Sequence, residues 1–296
     1  WYNTTTNVVK ALVNNLGSWA AGNNINTARK QLAGVGIQTA ALGFGGENPT
    51  GFTESYNGTN WTEVNDLGTA RYALAGAGTN TAALAFGGSG FAPSYTKQAV
   101  TETWNGTNWT EVNNLNLARS ALAGAGTNTA ALAFGGAAPV KNETETWNGT
   151  NWTEVNNLGT ARYGLAGTGT NTAALAFGGT ADPPMSNKTE TWNGTNWTEV
   201  NTMNTARKTL AGAGTQTSTL AFGGNPGDGS SLSFTELWNG TNWTEVNDLN
   251  TGRFGIAQAG SSNTSALAGG GGTPSTSLNA TEAWNAGPAT VTFDVS

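Results

Sequence analysis

Residues 101–112 read Thr-Glu-Thr-Trp-Asn-Gly-Thr-Asn-Trp-Thr-Glu-Val. Two short runs, each with threonine and tryptophan and each favouring extended backbone, flank an Asn-Gly pair. Asn-Gly is preferred where both residues of a tight turn need positive φ, as a right-twisted hairpin demands, so the stretch predicts two antiparallel strands, c and d. Copies with small changes run the length of the chain. Strand c carries Tyr56, Trp104, Trp147, Trp192, Trp238 and Trp284; strand d carries Trp19, Trp61, Trp109, Trp152, Trp197 and Trp243.

Working outward, a Thr-Ala-Arg triplet or a close variant sets the register through Arg29, Arg71, Arg119, Arg162, Arg207 and Arg253, and a Gly-Gly pair follows each arginine at offsets of 16 and 17 residues. Between arginine and Gly-Gly, residues 72–78 and 81–86 predict two more strands, a and b, separated by Gly-Thr-Asn. Four antiparallel strands repeated six times make an all-β, six-bladed propeller, a single domain over 1–296 with blades starting near the six arginines. Trp19 precedes Arg29 by the same ten residues that separate Trp61 from Arg71, so the N-terminal segment is expected to complete the last blade, whose strand c holds Trp284. Residues 289–295 alternate like a strand and compete for that slot. Residues 1–16 and 287–296 are left as extensions of the ring.

The order of arginine before strand a, Gly-Gly after an apolar strand b, an aromatic in c and tryptophan in d resembles the kelch repeat over nearly the whole chain. That resemblance implies small residues in strand a, such as Ala75, Gly76, Ala77 and Gly78, around a central channel. The wording of the repeat looks like kelch-like proteins encoded by marine bacteriophages, which implies a virion-associated or host-contacting role.

Composition narrows the function. Net charge is −6 with 12 basic residues, so no basic stripe exists to neutralise phosphates, and nucleic acid is not an expected partner. No run of 18 apolar residues crosses a bilayer, residues 1–20 lack the basic-then-apolar order of a signal peptide, and membrane insertion is not expected. Cysteine and histidine are both absent, which removes thiol nucleophiles, imidazole bases and most transition-metal sites. No cofactor or metal is expected. Copper radical oxidases among kelch-type propellers need histidine and cysteine, and sialidase-like propellers need a unique cluster of arginine, tyrosine and acids. Here the acids recur in register, and no cluster that breaks the sixfold pattern stands out in the channel. A non-catalytic protein is expected.

The repeated aromatics invite a sugar-stacking reading, but a side chain recurring once per blade is better spent filling the space between blades. There it buries ~150–250 Å², worth up to ~4–6 kcal/mol. The six arginines and the strand-c glutamates Glu54, Glu102, Glu145, Glu190, Glu236 and Glu282 read as ion pairs within or between blades, or as an anion or sugar ring at one mouth. The Asn-Gly-Thr and Asn-Trp-Thr triplets match the N-glycosylation pattern, which carries meaning only in a secretory pathway.

All length variation lies in the b-to-c connections, 47–52, 89–100, 137–143, 180–188, 225–234 and 271–280, which share one face with the d-to-a connections. Loops on a rigid scaffold are where recognition is usually placed. Candidate contacts are Phe52, Phe91, Tyr95, Lys97, Lys141, Asp182, Met185, Lys188, Asp228 and Phe234. The expected function is a recognition domain of a phage fibre, spike or other virion-surface protein. It binds a host surface glycan or receptor through this face, at the virion surface or outside the cell. The alternative is a structural module docked onto other virion proteins.

Overall fold

In the computed structural model, residues 2–3, 8–14, 17–47, 51–93, 95–137, 139–181 and 184–294 are described. Among them there is no helix; six four-stranded antiparallel sheets form the six blades of a β-propeller. The second blade shows the plan: strand a is Ala75–Gly78, b is Ala83–Phe86, c is Thr101–Trp104 and d is Trp109–Val112, paired in that order. The first blade runs from Ala33–Ile37 to Trp61–Val64, the third from Ala123–Gly126 to Trp152–Val155, the fourth from Ala166–Gly169 to Trp197–Val200, and the fifth from Ala211–Thr215 to Trp243–Val246.

The sixth blade is closed by the start of the chain. Its strands Ala257–Ser262, Ser265–Gly269 and Thr281–Asn285 take Ser18–Gly22 as the fourth, with Trp284 opposite Trp19. The rival strand, Pro288–Asp294, pairs instead with Val8–Asn14, which also pairs with Tyr2–Asn3, in a three-stranded sheet outside the blades. Val295 lies outside the described residues.

Two local expectations are corrected. The c-to-d connection is a four-residue turn, Asn57 to Asn60 in the first blade, in which glycine alone has positive φ (Gly58, +93°). Its asparagine works through the side chain: Asn57 Oδ1 accepts the backbone N–H of Thr59 and Asn60 at 3.0 and 2.8 Å, so local side-chain hydrogen bonding, and not a left-handed asparagine, selects the residue. In the sixth blade the a-to-b hairpin holds one extra residue, marked by a register shift between Ala259 and Ser262. The glycines that turn with positive φ there are therefore Gly270 and Gly271, one step beyond the pair at the usual offset, and Gly269 takes the place of the strand-b phenylalanine.

The core lies between blades. Each strand-d tryptophan enters the seam with the preceding blade and donates its indole N–H to the first threonine of that blade's strand c. These bonds run from Trp61 to Thr281, Trp109 to Thr53, Trp152 to Thr101, Trp197 to Thr144, Trp243 to Thr189 and Trp19 to Thr235, at 3.0 or 3.1 Å. A polar atom taken into a packed seam is thereby satisfied, and one bond of this kind crosses every interface of the ring. In five seams the same indole packs on the strand-b phenylalanine, as Phe86 on Trp152 with ring centroids 4.9 Å apart. The seam between the sixth and first blades differs. A Cβ at Gly269 would stand 3.0 Å from Trp61 Cζ2, and Ile25 fills the remaining space. Strand a must be thin for the same reason: a Cβ on Gly76 would approach Phe44 Cζ to 2.7 Å.

Candidate recognition face

The register arginines are fully buried and each pairs with the strand-c glutamate of its own blade, as in Arg71 Nη2 to Glu102 Oε1 at 3.2 Å and Arg119 Nη2 to Glu145 Oε1 at 3.0 Å. The second carboxylate oxygen accepts a backbone N–H from the d-to-a connection, Gly68 to Glu102 Oε2 at 2.7 Å in the second blade. Guanidinium N–H groups donate to strand-b and b-to-c carbonyls, such as Ala85 and Val100 from Arg71. Burial lowers all six arginine pKa values and the paired glutamate raises them back in part; Arg71 is brought down to about 10. The groups therefore carry charge at neutral pH but are enclosed, and they knot three connections together instead of forming an anion ring at a mouth.

The b-to-c loops surround one mouth of the channel. Phe91 packs on Tyr72 with centroids 5.4 Å apart, and Tyr95, at 57% exposure, projects from the same loop with φ +45°. Lys97 is held by a backbone bridge to Ser89, which in turn bridges Tyr72. Lys141 pairs with Glu143 at 3.2 Å; burial pushes the Glu143 carboxyl up, but backbone N–H groups and Lys141 outweigh it and hold it below the ordinary value. Met185 touches the neighbouring loop at Gly227, so the fourth and fifth blades' loops meet. Asp228 is exposed and caps Ser230, whose hydrogen bonds lower its pKa. Lys188 turns outward to Glu199 on strand d at 2.6 Å. Phe52 and Phe234 are half-buried at the loop ends, Phe52 under the Arg29 guanidinium at 6.0 Å. Asp182 lies outside the described residues. The candidates thus share a face without converging on one point.

What does converge lies one and two positions after each arginine. The first position holds Lys30, Tyr72, Ser120, Tyr163, Lys208 and Phe254, and it forms two cation–π pairs across blade seams: Lys30 over Phe254 at 5.6 Å and Lys208 over Tyr163 at 5.5 Å. At the second position, Gln31, Ala73, Ala121, Gly164, Thr209 and Gly255 all have φ between +51° and +63°. The N–H of each donates to the carbonyl of its counterpart in the preceding blade at 2.6–2.9 Å, and Gln31 donates to Gly255, so the six bonds close a circle around the mouth.

Beneath that circle lies a cavity of about 100 Å³ whose polar side chains are Gln31, Thr209 and Gln258. A second cavity of about 100 Å³ opens toward the other mouth. The sixfold pattern is broken in the channel after all: where five blades place Gly34, Gly76, Gly124, Gly167 and Gly212 in strand a, the sixth places Gln258. These residues escape a reading of the sequence by loop length because they sit inside the constant-length module. The signal for them is the variable pair after each arginine.

The opposite face differs in kind. Its a-to-b and c-to-d turns hold no charged residue, whereas every lysine whose side chain is described stands at the b-to-c end. Among the described residues no group of three or more His, Cys, Asp or Glu could hold a metal ion. No helix among the described residues is long and apolar enough to cross a membrane. No protein-family model matches the chain, and no curated protein matches it.

Proposed function

We propose that this propeller is a non-catalytic recognition module that reads its partner with the b-to-c face. The observation that carries the reading is the contrast between the faces. Apart from one extra residue in the sixth a-to-b hairpin, one gathers the loop-length variation, the five lysines Lys30, Lys97, Lys141, Lys188 and Lys208, and the aromatics Tyr72, Phe91, Tyr95, Tyr163 and Phe254; the other repeats neutral turns. Aromatic faces beside amides, hydroxyls and ammonium groups suit a glycan. The kelch-like wording of the repeat, which resembles that of proteins encoded by marine bacteriophages, supports a host surface glycan or receptor as the partner and the virion surface as the setting. The channel is lined by amides and two threonines but no acid or base, which favours binding over turnover.

Docking into an assembly through a permanently covered face calls for a broad apolar patch. Ile37 and Tyr95 are the exposed large hydrophobics among the described residues, and they stand at opposite ends of their blades, which favours the recognition reading. The test is binding of the purified protein to host cells and to an immobilised glycan panel, before and after all six b-to-c loops are replaced by one sequence. Loop-dependent binding is expected. Absence of binding, or binding indifferent to the replacement, refutes the reading.

A further inference from the structure

We propose that the cavity beneath the b-to-c face receives the acetamido group of an N-acetylated sugar at the end of a glycan chain, with Gln258 as its hydrogen-bonding partner. The inference rests on the glycan reading above and adds the chemical class and the point of entry.

Four residues border both channel cavities, Gly76, Gly124, Gly167 and Gln258, and Gln258 alone among them has a side chain. Its carboxamide is half-buried between the cavities and makes no hydrogen bond to a described residue. An amide in such a place asks for one donor and one acceptor from whatever enters. The size is decisive. At about 100 Å³ the cavity is smaller than the roughly 150 Å³ cavity that takes up a benzene ring, which suits a group of about four heavy atoms better than a whole pyranose.

Charge and shape narrow the group further. Gln31, Thr209 and Gln258 are neutral, and the cavity is otherwise walled by alanine, glycine and the leucine or isoleucine that stands just before each strand a. A carboxylate would enter without a cation to meet it, at a desolvation cost nothing there offsets. An acetamido group brings an N–H, a carbonyl and a methyl, and so answers both the amide and the apolar wall. The circle of backbone bonds above the cavity has already used its own N–H and C=O groups, Gln31 Nε2 donates to Glu47 and the Thr209 hydroxyl to the Lys208 carbonyl, so the recognition falls to Gln258. A pyranose carrying the group would rest outside, beside Tyr72, Tyr163 and Phe254, where aromatic surface suits a sugar better than a peptide.

The test compares chitobiose and N-acetylglucosamine with cellobiose and glucose by titration calorimetry and by amide-proton shifts, on the full chain and on Gln258→Gly. Five blades already carry glycine at this position, so the variant restores the repeat, and an unchanged melting temperature verifies its fold. The expected result is at least tenfold preference for the acetylated sugars in the parent chain, lost in Gln258→Gly and partly kept in Gln258→Asn. Equal affinity for both sugar series, or a preference that survives Gln258→Gly, overturns the inference. Tighter binding of N-acetylglutamine amide than of chitobiose overturns the assignment to a sugar. Loop-dependent binding of host glycan that ignores Gln258→Gly sinks this inference alone and leaves the face reading intact, whereas absence of any glycan binding by the parent chain sinks both.

Discussion

Replacing Glu102 by glutamine removes one charge from an enclosed pair and leaves Arg71 buried without its counterion. Both side chains are almost fully buried, at 0% and 2% exposure, so solvent cannot make up the loss. The glutamine must also turn a donor toward either the guanidinium or the backbone N–H of Gly68, each of which is itself a donor. Breaking a buried pair in this way costs about 3–5 kcal/mol. At ~2.1 cal/mol/K per residue, the chain's unfolding entropy is roughly 0.6 kcal/mol/K, so the melting temperature should fall by about 5–8 °C. Scanning calorimetry of Glu102→Gln, Arg71→Met and the double variant measures this. Because the two singles each strand a group that the double variant removes, the double should be less destabilised than the sum of the singles by more than ~1 kcal/mol. The pH dependence has a sign as well. Burial lowers the folded pKa of Arg71 to about 10, below its unfolded value, so the burden of the buried charge is complete at neutral pH and is relieved as pH rises through that value. Without Glu102 the folded pKa drops further, and the deficit of Glu102→Gln should shrink on the alkaline side. Additive singles, or a shift below 1 °C, would show that the ion pair does not hold the blade.

Three further outcomes are expected. Thr209 carries a β-branched side chain at φ +51°, so Thr209→Gly should stabilise by ~1 kcal/mol and raise the melting temperature by about 1–2 °C in the same calorimeter; a destabilised variant would mean the hydroxyl's bond to the Lys208 carbonyl outweighs the strain. Trp152→Phe takes away the indole N–H that satisfies Thr101 across a seam and should cost about 1–3 kcal/mol by denaturant unfolding, whereas a neutral result would deny the seam bond any weight. The lowered pKa of Glu143 gives a contribution that is present above the unfolded value and lost as pH falls through the folded one; carboxyl-carbon titration by NMR should find Glu143 below the ordinary glutamate range, and Lys141→Met should move it up.

The ring is legible in the sequence because its cause is periodic. Tryptophan in strand d and arginine before strand a recur at fixed spacing, each because every seam and every blade needs the same packing and the same knot, and Trp19 can be placed by counting alone. The hairpin turn differs in mechanism because Asn-Gly has two uses, a left-handed pair or a side-chain cap, and the four-residue span chooses the second. The sixth Gly-Gly pair is displaced by one because a single inserted residue in a hairpin leaves an offset intact while moving its occupant. The candidate face is visible as variable length, yet length says nothing about convergence: Lys188 leaves for the rim, and Phe52 is a lid on its own arginine. Gln258 is hidden for the opposite reason, as one substitution inside a strand whose spacing from its arginine never changes and whose neighbours in five blades are all glycine.

The circle of six backbone bonds at the mouth has an electrostatic consequence. In a helix, amide dipoles add along an axis and leave a charge-like field at each end. Here they lie head to tail around a closed loop, so the ring's rotational symmetry cancels their components in the plane of the mouth and no terminal donor or acceptor remains. The circle therefore presents no helix-end charge to passing ions. Any selectivity there belongs to the side chains standing on it. Severing one of the six bonds would convert the loop into a line with a bare N–H at one end and a bare carbonyl at the other, creating in a single step the field that closure had cancelled.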